Sequence, residues 1–283
     1  MIKIDNILLP FGLYIVSTPI GNLKDITLRA LSVLKSSDII GCEDTRVTKK
    51  LLSHYEIKSK KLISVHEYSK EEKLLFLIEK IKEGKSISLV TDAGTPIISD
   101  PGLKLIILAI ENKINITPIP GPSAVTASLV GAGIKSDKFY FLGFLPSKKK
   151  QRISELKKLK EIDAQLIVYE NAKRIKETFK DMFMVLGNRK CVIARELTKI
   201  YETYHRGDFS TFIKKKENFK GEITLIISPS EKQKENDIDD EEIKKIILFI
   251  KKKLSTKNSA ELLSLIYKKP KKFFYTKLIK SIR

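Results

Sequence analysis

The stretch ISLVTDAGTPIISDPG, residues 87–102, decides the fold expected of this chain. It opens on an apolar, β-rich run at residues 87–91 and continues into a long loop that holds two carboxylates, two glycines and two prolines. A plain connection needs only about 2 to 6 residues, so the extra length indicates a binding loop. A continuously apolar strand followed by a helix is typical of a parallel sheet that is covered on both faces.

The same alternation of strand and helix extends outward from this stretch. Strands are predicted at residues 13–17, 38–42, 62–65, 87–91 and 114–119, with four helices between them. A further helix is predicted at 123–132, because Pro122 suits a first helical turn. We therefore expect a doubly wound α/β domain over residues 1–135.

The pattern changes downstream of this domain. An aromatic-rich strand is predicted at 138–144, and further strands at 165–169, 190–195, 201–206 and 222–228, with helices such as 173–186 between them. Short strands with few crossover helices predict a mixed sheet in a second α/β domain at 136–230. The polar, acidic stretch 230–242 suits a linker. A basic helical region is expected over 231–283, with short helices at 243–254, 260–267 and 273–282.

The charge of the chain favours a polyanionic partner. Its 283 residues include 54 Lys and Arg against 34 Asp and Glu, a net charge of +20. Such an excess indicates nucleic acid first and a membrane surface second. An AT-rich genome, which enriches Lys and Ile, remains an alternative explanation of the excess.

Other residue types narrow the class of protein. Cys42 and Cys191 are the only cysteines, which suits a reducing compartment rather than a disulfide framework. His54, His66 and His205 lie far apart, so no metal site is expected. No apolar run approaches the roughly 20 residues of a membrane span. We expect a cytoplasmic, soluble protein.

Three short segments follow predicted strands and are rich in Gly and Pro: residues 18–22, 91–102 and 118–124. In an open parallel sheet, ligands bind outside the carboxyl ends of the strands. Glycine there lets backbone amides approach a ligand closely. In the first segment, however, Gly and Pro also fit an ordinary turn with no ligand. Neither the phosphate-loop motif at 84–86 nor the dinucleotide motif at 131–133 is complete, which disfavours ATP and NAD.

Polar residues also follow the second predicted strand. Glu43, Asp44 and Arg46 stand in succession with Thr45, more polar groups than a turn needs. The alternative is a helix N-cap with a local ion pair of small energetic value.

Seven segments in series carry a family resemblance: TPIGN at 18–22, DITLRAL at 25–31, EDTR at 43–46, TDAGTPIISDPG at 91–102, PGPSA at 120–124, GFLP at 143–146 and ARELTK at 194–199. Together they resemble the ribosomal RNA small subunit methyltransferase I family of the tetrapyrrole methylase superfamily, over residues 11–228. The resemblance implies two αβα domains of the class III methyltransferase type, with a cofactor cleft between them, and a homodimer. It also implies S-adenosylmethionine-dependent methylation of the ribose 2′-hydroxyl of a cytidine in the decoding region of 16S rRNA, as naked RNA or in the small subunit.

The resemblance also assigns cofactor contacts to residues that match its motifs. They are Ile20, Gly94, Thr95, Ile98, Ser123 and Ala124 in the first domain, and Glu170 and Arg195 in the second. Two departures stand out: Ala93-Gly94-Thr95-Pro96 replaces the Gly-Gly-Asp-Pro of tetrapyrrole-methylating relatives, and Tyr68-Ser69 replaces a common His-Asn pair.

A ribose hydroxyl is a poor nucleophile, so a base or a charge that stabilises the developing alkoxide should help. The candidates are Asp100, Glu43, Asp44 and Arg46, whose loops face the same sheet edge.

The RNA is expected at the presumed domain junction. Lys148, Lys149, Lys150 and Arg152 crowd a Pro-Ser turn, where like charges repel unless an anion is bound. A solvated helix face remains the alternative for the helical part of this segment. From residue 251 to the end, 11 Lys and Arg face 1 acid, which suits added affinity for RNA.

Two other functions stay open at the level of the sequence. One is methylation of a tetrapyrrole or another small metabolite. Such a substrate would not require the basic loop and the basic tail. The other is a non-catalytic RNA-binding assembly factor. The intact loops at Ile20, Gly94 and Ser123 argue against this function.

Overall fold

The computed structural model describes residues 5–58, 60–215, 219–230, 246–247, 249–250, 254–267 and 270–280. It separates into two compact units, Met1–Ser230 and Glu231–Arg283. The first unit contains two five-stranded sheets, and the second contains helices.

The first sheet is parallel throughout, with strand order β3-β2-β4-β1-β5. Its strands are β1 Gly12–Val16, β2 Ile39–Cys42, β3 Lys61–Ser64, β4 Ser86–Val90 and β5 Ile116–Ile119. Its helices are α1 Leu28–Ser36, α2 Thr45–His54, α3 Glu71–Lys82, α4 Leu103–Glu111 and α5 Ala124–Ala132. The predicted doubly wound fold is confirmed.

Alternation along β1 explains why both faces of this sheet are covered. Successive side chains of a strand point to opposite faces. Tyr14 and Val16 belong to the core that includes α1, whereas Leu13 and Ile15 belong to the core that includes α3 and α4. An uninterrupted apolar run is therefore required, and β1 has one.

Strands β1 and β4 are neighbours, and the chain leaves them on opposite faces of the sheet. Helix α1 follows β1 and packs on one face, whereas α4 follows β4 and packs on the other. Ligands of open α/β sheets bind outside the carboxyl ends of the strands, where the loops that follow β1 and β4 are hydrogen-bonded to each other.

The second sheet is mixed, as predicted, with order β6-β7-β10-β8-β9. Only β6 and β7 are parallel to each other; the remaining pairs are antiparallel. Its strands are β6 Phe139–Phe144, β7 Gln165–Asn171, β8 Lys190–Arg195, β9 Thr203–Asp208 and β10 Glu222–Ile227. Its helices are α6 Lys149–Lys158, α7 Ile175–Leu186 and α8 Phe209–Lys214.

Helix α5 joins the two sheets. It follows the last strand of the first sheet, yet its apolar residues pack with Val192, Ala194 and Ile226 of the second. The Tyr204 hydroxyl donates a 3.1 Å hydrogen bond to the Ala127 carbonyl. Gly131 is required at this crossing, because a Cβ there would overlap the Tyr204 ring.

The C-terminal unit contains α9 Thr256–Tyr267 and α10 Lys271–Lys280, which pack through Leu263 and Phe274. Helix α9 begins four residues before the predicted start because Ser255 caps it: the Asn258 amide donates to Ser255 Oγ at 3.3 Å. The predicted linker, apart from Ser230, and most of the predicted helix at 243–254 lie outside the described residues.

Within the described part of the chain, no helix is both long and apolar enough to cross a membrane. The same residues contain no group of three His, Cys, Asp or Glu side chains arranged to hold a metal ion.

Candidate active site

A cavity of about 370 Å³ lies between the two sheets, within the size range of small-molecule sites. The first sheet contributes the loops that follow β1, β4 and β5. The second contributes the ends of β6, β7 and β8 and the start of β10. The lining residues are Ile20, Ala93, Gly94, Thr95, Ile98, Ser99, Asp100, Ser123, Ala124, Phe144, Tyr169, Glu170, Asn171, Ala194, Leu197, Gly221, Glu222, Ile223 and Thr224.

Hydrogen bonds tie the three loops of the first sheet to one another. Thr18 and Gly94 exchange backbone hydrogen bonds of 2.8 and 3.0 Å. The Thr95 hydroxyl donates to the Pro122 carbonyl at 3.2 Å and accepts from the Ser17 hydroxyl at 3.0 Å. The loops are thus held in one arrangement before any ligand binds.

The loop after β4 has an unusual backbone. Gly94 has φ +88°, and Ile97 and Ser99 have φ 77° and 68° although they carry a Cβ. A β-branched residue at positive φ is strained, and such strain concentrates at functional sites. The strain turns Ile98, Ser99 and Asp100 toward the cavity that they line.

Seven of the eight residues assigned to the cofactor line this cavity: Ile20, Gly94, Thr95, Ile98, Ser123, Ala124 and Glu170. Arg195 does not, although Ala194 and Leu197 on either side of it do. Its Nε donates a 2.6 Å hydrogen bond to the Lys220 carbonyl. The prediction for Arg195 is therefore corrected: its guanidinium fastens the segment that precedes β10.

Glu170 lines the cavity with a carboxylate that is already bound. Its Oε1 accepts from Arg174 Nη2 at 2.7 Å, and its Oε2 accepts from the Thr178 hydroxyl at 2.6 Å. The residue is buried. Its carboxylate thus joins the end of β7 to the start of α7. It forms part of the cavity wall, and its oxygens are already engaged by Arg174 and Thr178.

Asp100 is the predicted catalytic candidate that lines the cavity. Burial, together with the neighbouring negative charges of Glu43 and Asp92, raises the pKa of Asp100 to about 6. Glu43 lies behind it, where Glu43 Oε2 accepts a 2.8 Å hydrogen bond from the Thr91 hydroxyl. Asp100 is therefore more basic than an ordinary aspartate.

Asp44 and Arg46 take the alternative role of helix cap and local ion pair. Asp44 Oδ1 accepts from the Arg46 amide at 2.8 Å, and Arg46 Nη2 lies 2.6 Å from Asp44 Oδ2. The hydrogen bonds from Arg46 lower the pKa of Asp44 to about 2. The Arg46 side chain is 86% exposed, and neither residue lines the cavity. As catalytic candidates, both are corrected.

The four predicted RNA-binding residues divide into two groups. Lys148, Lys149 and Lys150 are exposed at the start of α6. Arg152 is 1% exposed, and its Nε and Nη2 donate to Asp181 Oδ2 at 2.9 and 2.7 Å. Its Nη1 donates to the Ser147 carbonyl at 3.0 Å. The prediction for Arg152 is wrong, because these bonds hold the Pro-Ser turn and leave no exposed donor for a phosphate.

Sequence reasoning assigned Glu170 of the second sheet to the site but missed other residues of that sheet. Phe144, Tyr169 and Asn171 line the cavity where β6 and β7 end, and Gly221 does so before β10. Burial raises the pKa of Tyr169 to about 12, and the negative charge of Asp100 adds to the effect. The sequence does contain a signal for these residues: an aromatic and polar run at the end of a strand, Tyr169 to Asn171, is typical of a site lining.

The turn after β8 connects the two sheets at the cavity. The Asn22 amide donates a 3.0 Å hydrogen bond to Thr198 Oγ1, and Leu197 lines the cavity beside Ile20. Lys199 Nζ lies 3.0 Å from both Glu196 Oε1 and Glu222 Oε2, which braces the turn.

The lining suits a neutral or cationic ligand. Among the described residues that line the cavity there is no Lys or Arg, whereas Asp100 and Glu222 are carboxylates. Apolar walls from Ile20, Ile98 and Leu197 alternate with hydroxyls and with the space that Gly94 leaves by having no side chain. Such a lining does not favour a polyphosphate and is compatible with a nucleoside that carries a positive centre.

Comparison with known proteins places these features in context. Residues 12–212 match the family described as tetrapyrrole (corrin/porphyrin) methylases. A ribosomal RNA small subunit methyltransferase I from Halalkalibacterium halodurans is 48% identical over 76% of this chain and 75% of its own. A protein of the same name from Vibrio cholerae is 42% identical over 96% of both chains. A Thermus thermophilus uroporphyrin-III C-methyltransferase, solved with S-adenosylhomocysteine, shares the fold at 15% identity with a TM-score of 0.56, covering 77% of this chain and 97% of its own.

Proposed function

Because this chain belongs to the tetrapyrrole (corrin/porphyrin) methylase family, we propose that it methylates the ribose 2′-hydroxyl of a cytidine in the decoding region of 16S rRNA. The observation that carries the proposal is the cavity, which joins seven of the assigned cofactor residues to Asp100. The substrate class follows from relatives named for rRNA methylation that are 42–48% identical over most of the chain.

S-adenosylmethionine is the methyl donor. It supplies a methyl group on a positively charged sulfur, and the cavity offers carboxylates and no Lys or Arg among its described lining residues. The strained loop Gly94 to Ile98 would hold it from the first domain, and Ser123-Ala124 would hold it from the start of α5. The space left by the missing side chain of Gly94 and the polar group of Ser123 in the lining suit an adenosine better than a phosphate cradle does.

Asp100 is proposed as the base. As the 2′-oxygen takes the methyl group, the methyl–sulfur bond would break and leave S-adenosylhomocysteine, and the hydroxyl proton would pass to a carboxylate oxygen of Asp100. With a pKa of about 6, this carboxylate is ionised at neutral pH and still more basic than an ordinary aspartate. The rest of the acceleration comes from holding donor and acceptor in line, since a pre-ordered pair loses little entropy on reaction.

The RNA would lie along exposed basic residues. Lys148, Lys149 and Lys150 project from the first turn of α6, close in sequence to Phe144 of the cavity. Phosphate contacts supply most of the sequence-independent affinity for RNA. We also propose, from the family resemblance, that the protein is a cytoplasmic homodimer.

The test is methyl transfer from isotopically labelled S-adenosylmethionine to three acceptors: small subunits and naked 16S rRNA from a strain that lacks this gene, and uroporphyrinogen III. The expected product is a 2′-O-methylcytidine, located by its resistance to alkaline cleavage. Transfer to the tetrapyrrole alone would replace the proposal with small-metabolite methylation. Binding of rRNA without transfer to any acceptor would favour the assembly-factor alternative.

A further inference from the structure

A second concavity adjoins the active-site cavity. Its volume is about 480 Å³, and it shares Phe144 and Asn171 with the first. The other residues that line it are Leu145, Ser147, Lys173 and Arg174. Phe144 therefore forms a partition between the cavity that holds Asp100 and a neighbouring polar surface.

The backbone is shaped to present the Phe144 ring. The pairing of β6 with β7 shifts register between Phe141 and Phe144, and such bulges re-aim side chains next to active sites. Gly143 has φ +65°, and a Cβ there would lie 2.7 Å from Ser99 Oγ of the strained loop. The end of β6 is thus pressed against the loop that carries Asp100.

The ring is supported on one side and open on the other. Phe144 packs edge-on against Tyr169, with ring centroids 5.5 Å apart, and Tyr169 packs against Phe141 at 4.9 Å. Phe144 is nonetheless 62% exposed. An aromatic ring held in place with one face in solvent is the arrangement that stacks an unpaired base.

The neighbouring concavity suits an anion. The Lys173 side chain is exposed, and its ammonium has no carboxylate partner among the described residues. The Arg174 guanidinium is bound to buried Glu170, so its charge is largely compensated. No Asp or Glu belongs to the described lining, whereas the Ser147 hydroxyl stands where the chain leads into Lys148.

We propose that Phe144 is the stacking platform for the base of the acceptor nucleotide, and that Lys173 and Ser147 bind a phosphate beside it. This assignment rests on the proposed function and adds to that function a definition of the acceptor nucleotide. A base stacked on Phe144 places its ribose next to the cavity that contains Asp100. The acceptor must then be single-stranded or turned out of its helix, since only an unstacked base can reach the ring.

Fluorescence tests the platform independently of catalysis. The chain contains no Trp, so Phe144→Trp introduces a single indole at the partition. Tetracytidylate, added with saturating S-adenosylhomocysteine, should quench it saturably. Phe139→Trp is the matched control, because Phe139 lies on the same strand, is 53% exposed and lines neither cavity. No quenching at position 144, or equal quenching at both positions, would overturn the platform.

The phosphate contact has its own readout. In the Phe144→Trp background, Lys173→Gln should weaken tetracytidylate binding and reduce the slope of log affinity against log salt by about 0.7, the value for one contact to a single strand. Lys180→Gln, at an exposed position of the helix α7 that follows Lys173, should leave the slope unchanged. An unaltered slope in the Lys173 variant would remove the phosphate from this concavity.

Kinetics distinguish failure of this inference from failure of the proposed function. Phe144→Ala should lower kcat/KM for rRNA by roughly 5- to 150-fold, the effect of losing one base–aromatic stack, with unchanged S-adenosylhomocysteine affinity. Phe144→Tyr should restore the rate. If the wild type methylates rRNA and Phe144→Ala does so equally well, the platform is wrong and the function stands. If the wild type methylates no rRNA but tetracytidylate quenches Phe144→Trp specifically, the platform stands and the function is wrong.

Discussion

The backbone amide of Asn22 donates a 3.0 Å hydrogen bond to Thr198 Oγ1, which lies 176 residues further along the chain. This bond joins the loop after β1 of the first sheet to the turn after β8 of the second. Ile20 and Leu197, each close to one end of it, both line the cavity. The geometry of the proposed cofactor site therefore depends on contact between the two sheets.

The first prediction concerns this contact. Gly21→Ala should weaken S-adenosylmethionine binding by at least about 10-fold, because its Cβ would overlap Lys199 Cγ and lie 2.8 Å from Thr198 Oγ1. Thr198→Val removes only the hydrogen bond, so a smaller loss of about 5-fold is expected. Titration calorimetry measures both. Thr276→Val in α10 removes a comparable hydroxyl far along the chain and is the control.

The second prediction concerns the strained loop after β4. Gly94→Arg should abolish S-adenosylmethionine binding, because a long cation would enter a cavity that suits a cationic ligand. Gly84→Arg is a matched control: Gly84 has φ +89° against +88° for Gly94, and nothing lies within 4 Å of its Cβ position. Both variants carry the same backbone strain. A difference between their S-adenosylmethionine affinities, measured by calorimetry, therefore reports the Arg side chain in the cavity and not the strain. Normal affinity in a folded Gly94→Arg variant would remove this loop from the site.

The third prediction is the pH dependence of methyl transfer. A base with a pKa of about 6 must be ionised to act, so the single-turnover rate should rise with pH through about 6 and then level off. Asp100→Asn should slow transfer by about 100-fold or more and weaken S-adenosylmethionine binding by a much smaller factor, since Glu222 keeps a carboxylate in the cavity. Glu43→Gln should move the midpoint to lower pH, because the charge of Glu43 helps to raise the Asp100 pKa. A pH profile that is identical in all three proteins would exclude Asp100 as the base.

The fourth prediction is the effect of the same carboxylate on stability. The pKa of Asp100 is about 6 in the folded state, above its ordinary value of 3.8. The folded state thus holds the proton more tightly, so the free energy of unfolding falls as the pH rises from about 3.8 to about 6 and stays at the lower value above that. Asp100→Asn should raise the melting temperature at pH 8, and the difference should vanish as the pH falls toward 4. Scanning calorimetry at these two pH values measures the difference in melting temperature. An equal increase at both values would contradict the raised pKa of Asp100.

The fifth prediction separates the basic residues near the Pro-Ser turn. Replacing Lys148, Lys149 and Lys150 with Gln should weaken rRNA binding and lower its salt dependence, with little loss of stability, because the exposed Lys149 lies 3.9 Å from Asp181 Oδ1 and Arg152 remains in place. Arg152→Ala should instead cost about 3 to 5 kcal/mol of folding free energy, because buried Asp181 would lose its hydrogen-bonded partner. Filter binding across a salt series and chemical denaturation measure the two effects. Unchanged salt dependence in the triple variant would place the RNA elsewhere.

Local sequence was sufficient for the first sheet and for its loops. Continuous apolar runs such as 13–17 fit only strands that are covered on both faces, which requires crossover helices and parallel strands. Parallel strands end at one edge, so the Gly- and Pro-rich loops around Ile20, Gly94 and Ser123 had to lie together. Their Gly and Pro residues indicated restricted loops, whereas the positive φ of Ile97 and Ser99 is visible only in the structure.

What only the tertiary structure decided is which distant groups meet. Arg152 belongs to a Lys-rich run, yet Asp181, 29 residues further on, buries it. Arg195 donates to the Lys220 carbonyl instead of lining the cavity as its neighbours do, and Phe144 lines the cavity after a register shift in β6. Periodicity and charge are properties of a segment, whereas burial and pairing depend on strands and helices brought in from elsewhere in the chain. The sequence by itself therefore determined the architecture and one half of the site, and packing of the second sheet against the first determined the other half.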